Sequence, residues 1–287
     1  MSNKNEEFRP EKLLPEEYIH RLEIFNGFAQ EAIRQAIHHL GLFPGCEILD
    51  IPCGIGKHAC WMLEENEEAH VTGVDISEEH LAYAKKLLND SPVRGSISLE
   101  QGDMTDLVFA DNTFDFVWCC NGLWVGDPAM GYLASEPYQI LGELKRITKP
   151  GGKIALIYST NRKFLPGHPL LESVLSATFA CHYLPVNAKI SPEFNIMRAP
   201  LWLNNVGLEQ VEAKSFVADL QGPFSQEELP KMASMLDIFW GKAEGEISPG
   251  MWKQYQSLSD PDSDDYIFRL EGYAGSITYT MFTGVIA

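Results

Sequence analysis

The sequence predicts an α/β protein built on a mostly parallel sheet with helices on both faces. Strands alternate with helical stretches from Cys46 to Ser159. The stretch "KIALIY" (Lys153–Tyr158) is a nearly unbroken apolar strand, as a parallel sheet buried on both faces requires. In "ILDIPCGIGKHACW" (Ile48–Trp61) an apolar run ends in Asp50, a glycine-bearing turn follows, and an apolar helical stretch begins. That succession of strand, tight turn and helix opens onto a ligand.

Taken in order, residues 11–40 predict a helix. Ile19, Leu22, Phe25, Ala29, Ile33, Ile37 and Leu40 recur at three- and four-residue spacing. It is read as an amphipathic helix on the core that also covers the cleft entered by the glycine turn. Gly41 stops it, and Pro44–Gly45 turns the chain. Glu47–Ile51 is the first strand, Lys57–Asn66 a helix, and Val71–Val74 the second strand, ended by Asp75. Ser77 is a good N-cap for a helix to about Asn89. "ISLEQGD" is a third strand ending near Asp103, and "FDFVWCC" a fourth. Ser135 with Pro137 opens a helix whose buried side is Ile140, Leu141, Leu144 and Ile147. "KPGG" (Lys149–Gly152) is the turn into the fifth strand.

After Ser159 the alternation loosens. Helices are expected over Pro169–Tyr183 and Glu193–Asn205, and a strand over Leu208–Asp219. Ser225 caps a helix through Trp240, and Trp252–Leu258 forms a short one. "SITYTMFTGVIA" alternates and is rich in β-formers, so it is the closing strand. The expected whole is one domain over 1–287. It has an N-terminal helical lid (1–44), a core (45–160), and a region of helices, insertion and closing strands (161–287).

The formal charge of −18 opposes binding to nucleic-acid backbone and to anionic membranes, and suits a small neutral or cationic partner. No apolar run approaches the roughly 20 residues of a membrane span. The first residues are polar and lack the apolar segment of a signal peptide. None of the six cysteines forms a C-x-x-C pair, which argues against structural zinc and for reduced thiols in the cytoplasm.

The glycines read G-x-G-x-x-A (Gly54, Gly56, Ala59), which is also the dinucleotide fingerprint. Alone, this motif leaves a nicotinamide cofactor and another adenosine-bearing molecule equally open. Three further features narrow the choice. Asp75 lies 19 residues beyond Gly56 at the end of the next strand, where an acid accepts from ribose hydroxyls. "GDM" (Gly102–Met104) ends the third strand. "ELKRITKPGGKIAL" supplies helix, turn and fifth strand in order. With these motifs, residues 45–160 resemble the class I S-adenosylmethionine-dependent methyltransferases, in the branch that includes the ubiquinone and menaquinone biosynthesis enzymes.

The resemblance implies a Rossmann-like, mostly parallel seven-stranded sheet whose last strand is antiparallel. It implies S-adenosyl-L-methionine as cofactor and methyl transfer to a small molecule. It also implies roles. Gly54 and Gly56 let the backbone approach the methionine portion. Asp50 orients that turn or meets the ammonium group. Asp75 accepts from the ribose diol, with Ile76 against the adenine. Asp103 accepts from the adenine amino group, Met104 covers the ring, and Cys119 lies beside the methionine moiety. Pro52 stands where the family usually has glycine, removing a backbone donor from the turn.

Acceptor-side candidates are Asn121, Trp124 and Asp127 after the fourth strand and His168 after the fifth, since both loops leave the carboxyl edge where ligands bind. His168 is a general base or a helix-start residue before Pro169. A sulfonium methyl is already activated, so no triad or metal is required. The competing readings are an NAD(P)-dependent oxidoreductase, a thiol- or metalloid-directed methyltransferase using Cys119, Cys120 and Cys181, and a catalytically inactive cofactor-binding protein.

Overall fold

The computed structural model describes residues 15–90, 96–125, 134–182, 184 and 191–287. They fall into two compact units. One holds the described residues of Leu13–Thr160, Ile190–Val217 and Thr278–Ala287, the other those of Asn161–Lys189 and Ala218–Ile277.

A seven-stranded sheet has the order β3-β2-β1-β4-β5-β7-β6. Its strands are β1 (Glu47–Asp50), β2 (His70–Asp75), β3 (Ser96–Gln101), β4 (Phe114–Cys120), β5 (Thr148–Lys163), β6 (Glu209–Gln221) and β7 (Ala274–Val285). The first five pair in parallel. β7 reverses: Gly151 N–H donates to Ile286 O, while at the other end Thr160 donates to Thr278 O. The antiparallel closing strand is thus as expected. The strand order turns around between β1 and β4, and in open α/β sheets ligands bind outside the carboxyl ends of the strands at such a point.

In the larger unit, helix α1 (Pro15–Leu40) packs against α2 (Lys57–Glu65) and α3 (Glu78–Asp90), α2 against β2, and α3 against β2 and β3. The predicted start of the first helix, residues 11–14, lies outside the described residues. Helix α4 (Tyr138–Ile147) buries Ile140, Leu141, Leu144 and Ile147, as their spacing demands, in one cluster with Leu49, Val117, Leu156 and residues of α6 (Ala199–Asn205). Each such side chain contributes about 1.5–3 kcal/mol relative to exposure.

Several boundaries differ from the sequence reading, each for a local reason. Ser135 does not open α4; Pro137 is its N-cap residue, and the Glu136 carboxylate accepts from Tyr138 N–H (2.8 Å). The helix expected over 169–183 is α5 (Pro169–Ser176) and then a 3₁₀ turn, Ala180–His182. It stops because the Glu246 carboxylate takes the N–H groups of Phe179 (2.6 Å) and Ala180 (2.9 Å). Residues 193–205 are two 3₁₀ turns, Pro192–Phe194 and Ile196–Arg198, before α6. Asn195 divides them: its backbone is extended and its side chain caps Met197 N–H (3.0 Å).

In the smaller unit, Ser225 and Glu228 satisfy each other's backbone N–H groups ahead of α7 (Glu228–Trp240), a reciprocal capping box. Ser248 caps Met251 N–H, so α8 (Pro249–Ser259) starts earlier than Trp252. These two helices are the insertion between β6 and β7. Phe239, Trp240, Tyr255 and Tyr273 are all buried, which is packing rather than an open pocket lining.

Candidate functional site

The glycine turn is built by its neighbours. Gly54 and Gly56 both have left-handed backbones (φ 52° and 76°), a conformation glycine adopts at no steric cost. A Cβ on Gly56 would also stand 3.1 Å from Ala84 Cβ of α3. Cys53 N–H donates to Val74 O (2.8 Å), tying the turn to β2. Pro52 follows β1 and is seated against Gly122, which follows β4.

Asp50 ends β1 with 0% exposure, and among the described residues neither carboxylate oxygen has a hydrogen-bond partner. An isolated buried charge is very costly. Burial, and then the Asp75 charge, push its pKa well above the ordinary carboxylate value. The group is therefore held in an environment that lacks its counter-charge. It fits a site for a cationic ligand group far better than a structural role.

Asp75 ends β2 and is 4% exposed. Its Oδ2 accepts from Gly54 N–H (2.8 Å), and its Oδ1 accepts from Ser77 N–H (3.0 Å). His80 Nδ1 lies 3.2 Å from the same Oδ1. One carboxylate thus holds both the glycine turn and the start of α3. Backbone donors from both segments therefore engage both of its oxygens. Ser77 is the N-cap as read, accepting from His80 N–H (3.2 Å). Ile76, by contrast, is 63% exposed.

Asp103 is exposed beyond β3, and its Oδ1 accepts from Thr105 N–H (2.8 Å) and Thr105 Oγ1 (2.7 Å). Met104 is buried in the core cluster with Leu107. The loop they begin is anchored by Arg146 of α4, which donates to Leu107 O (2.9 Å), Phe109 O (2.7 Å) and the carboxylates of Asp111 and Glu143.

The side chain of Cys119 is enclosed in the core, and burial pushes its thiol up to about 12. Burial likewise raises the Cys120 thiol.

Asn121, with left-handed backbone (φ 51°), accepts from Ser159 N–H at Oδ1 (3.2 Å), and Trp124 Nε1 donates to Asn121 O (2.6 Å). Trp124 is 46% exposed. Asp127 lies outside the described residues. His168 belongs to the smaller unit, at the N-cap position of α5, where its side chain makes no cap bond. Gln254 Nε2 of α8 donates to its Nδ1 (3.0 Å), so the neutral ring carries its proton on Nε2.

Sequence reasoning missed several participants. Tyr18 of α1 stacks on His80 (5.0 Å, 14°), and Leu22 lies 3.6 Å from the position a Cβ would take on Gly54. The first helix therefore covers the glycine turn. Ser159 Oγ is buried without a partner near Asn121. No sequence signal marks Gly122 or Ser159. His80 was legible only as the residue three after the N-cap. A groove of about 430 Å³ between α2 and α3, with Lys57, Trp61, Tyr83 and Lys86 in its lining, shares no residue with the site.

A parallel sheet reversing beside a glycine turn, with acids closing its first two strands, defines the class I methyltransferase fold. Residues 49–156 match the family model described as the methyltransferase domain. The chain is 33% identical over 146 residues to a demethylmenaquinone methyltransferase of Listeria welshimeri, covering 50% of this chain and 56% of that protein. It thus spans little more than half the length of that relative. It is 27% identical over 213 residues to the probable methyltransferase ltbC of Aspergillus luteorubrus, covering 71% of this chain and 69% of that one. Among solved structures, the fold resembles the Haemonchus contortus phosphoethanolamine N-methyltransferase 2 complex with phosphomonomethylethanolamine and S-adenosylhomocysteine. The TM-score is 0.54 at 18% identity, covering 96% of this chain and 59% of that one.

Proposed function

We propose that this protein transfers the methyl group of S-adenosyl-L-methionine to a small-molecule acceptor by in-line displacement. The observation that carries the reading is Asp50, a buried carboxylate beside the glycine turn with both oxygens unpartnered among the described residues. The methionine end of the cofactor bears an ammonium and a sulfonium, the counter-charges Asp50 lacks. A pyrophosphate on the same turn would meet the Asp50 and Asp75 carboxylates, so a nicotinamide dinucleotide is the poorer fit.

In this reading Gly54 and Gly56 admit the methionine portion, with Pro52 shaping the turn. Asp75 receives the ribose diol, Ile76 and Met104 flank the adenine, and Asp103 accepts from its amino group. The bound cofactor supplies a methyl carbon already activated by its sulfonium. The chain's own task is to hold the acceptor about 3–3.5 Å from that carbon and exclude water. Asn121, Trp124 and Asp127 would orient the acceptor. His168 is the general-base candidate by its residue type alone, and its Nδ1 can take a proton only after the Gln254 amide turns.

The Listeria relative's name favours an aromatic, apolar acceptor of the quinone type, and the net charge disfavours nucleic acid. No helix among the described residues is long and apolar enough to cross a membrane. We infer a cytoplasmic location from six free cysteines, which an oxidising compartment would tend to pair.

Calorimetry tests the cofactor. S-adenosylhomocysteine should bind, and NADH should not. NADH binding without S-adenosylhomocysteine binding would overturn the proposal. Cofactor binding without turnover on a broad acceptor panel would favour the inactive binding protein.

A further inference from the structure

The Asp75 carboxylate has little acceptor capacity left. Each carboxylate oxygen accepts about two hydrogen bonds. Ser77 N–H at 3.0 Å and His80 Nδ1 at 3.2 Å fill Oδ1, while Gly54 N–H at 2.8 Å leaves one position on Oδ2. A ribose diol offers two adjacent hydroxyls and needs both oxygens. The two backbone donors form the turn and the helix start, and cannot leave without dismantling them. His80 is the partner that a side-chain rotation removes.

We propose that His80 competes with the adenosine end of the cofactor for Asp75, so that protonated His80 closes the site and cofactor affinity rises with pH. This rests on the reading of Asp75 as the ribose acceptor. The contact is sheltered, with 15% side-chain exposure for His80 and 5% for Asp75. An imidazolium on a carboxylate makes a charge-assisted bond stronger than a neutral one. A ligand that displaces the ring from Asp75 removes the partner that favours its charged form, so binding is linked to proton release. The stack of Tyr18 on the His80 ring carries the same exchange to α1, which covers the turn.

Other titratable and charged groups surround the pair. Asp50 and Cys53 act on it from β1 and the turn. Tyr18 does so from α1, where Arg21 acts on Tyr18 and Glu23 is bonded to Tyr83 of α3. Glu79 of α3 accepts from Ser77 Oγ (3.0 Å). To separate His80 from these neighbours, the test compares pH profiles with and without His80.

Affinity for S-adenosylhomocysteine is measured by calorimetry from about pH 5.5 to 8, the span over which histidine ordinarily changes charge, in buffers of different ionisation enthalpy. One linked proton gives up to about tenfold in affinity per pH unit. The wild-type protein should bind more weakly as pH falls and release a proton on binding. His80→Ala and His80→Gln should flatten the profile, abolish the proton release and bind more tightly than wild type at the acid end. Melting curves without ligand confirm that the variants fold, and the glutamine variant serves if the alanine variant does not. A wild-type slope retained in the folded variants would overturn the competition. So would weaker binding in the variants at every pH, which would make His80 a supporting contact. Absence of binding by the wild-type protein at about pH 8 would instead sink the cofactor reading itself.

Discussion

Gly122 vacates the space that Pro52 fills: a Cβ on Gly122 would stand 2.1 Å from Pro52 Cδ and 2.9 Å from Pro52 Cγ. The two residues follow β1 and β4, the strands between which the sheet order reverses. Gly122→Ala should therefore cost about 1–3 kcal/mol by overpacking. In a Pro52→Gly background the same change should cost much less, because the colliding ring is gone. Urea denaturation of the four variants measures the coupling; additive effects would refute the contact.

Asp50→Asn tests the orphan carboxylate. An acid whose folded pKa is raised binds more protons folded than unfolded, between its ordinary value of 3.8 and the raised one. Its stabilising share is present below about pH 4 and lost as pH rises. Without ligand, Asp50→Asn should melt above wild type at neutral pH, and the difference should shrink toward pH 4. The unpaired amide offsets part of this gain, by about 1–3 kcal/mol. Cofactor affinity should fall in the same variant. Higher melting temperature with weaker binding is the signature of a residue kept for its ligand.

Asp75→Ala should lower both stability and affinity. It strips the acceptor from Gly54 and Ser77 N–H, about 1–3 kcal/mol for each amide left without water. Denaturation without ligand measures that loss, and calorimetry of the folded fraction the binding loss. Normal stability in this variant would contradict the hydrogen bonds at Oδ1 and Oδ2.

For Asp103 the comparison is with its neighbour. Asp103→Ala removes the proposed adenine contact together with the Thr105 turn, whereas Thr105→Ala loses only the hydroxyl bond to Oδ1. S-adenosylhomocysteine affinity should fall by about 1–3 kcal/mol in the first and change little in the second. Equal affinity in both would take Asp103 out of the site.

Arg146→Ala should loosen the loop that carries Met104. The Arg146 hydrogen bond outweighs desolvation and holds the Glu143 carboxyl below its usual 4.5. A depressed acid stabilises above its unfolded value and loses that share as pH falls. The melting-temperature gap between wild type and variant should be steady above about pH 5 and narrow below 4.5. A gap independent of pH would show that Glu143 takes no part.

The sequence by itself determined what depends on local chemistry. Apolar spacing marked Ile140, Leu141, Leu144 and Ile147 as one buried face, Ser77 marked a helix start, and strand-ending acids around a glycine turn marked the ligand edge. Alternating β-formers marked the closing strand, while its antiparallel sense came from the family resemblance. Only the tertiary structure decided what long-range partners do to those groups. Glu246, 67 residues beyond Phe179, ended a helix that periodicity continued. Gly54 and Ser77 N–H, with His80, occupied the carboxylate of Asp75, and Gly122 made Pro52 tolerable in the turn. Asp50 was left with no partner among the described residues. Periodicity reports which face is apolar. It cannot report which donor, across a fold, reaches a given oxygen, and that decides whether an acid braces the chain or waits for a cation.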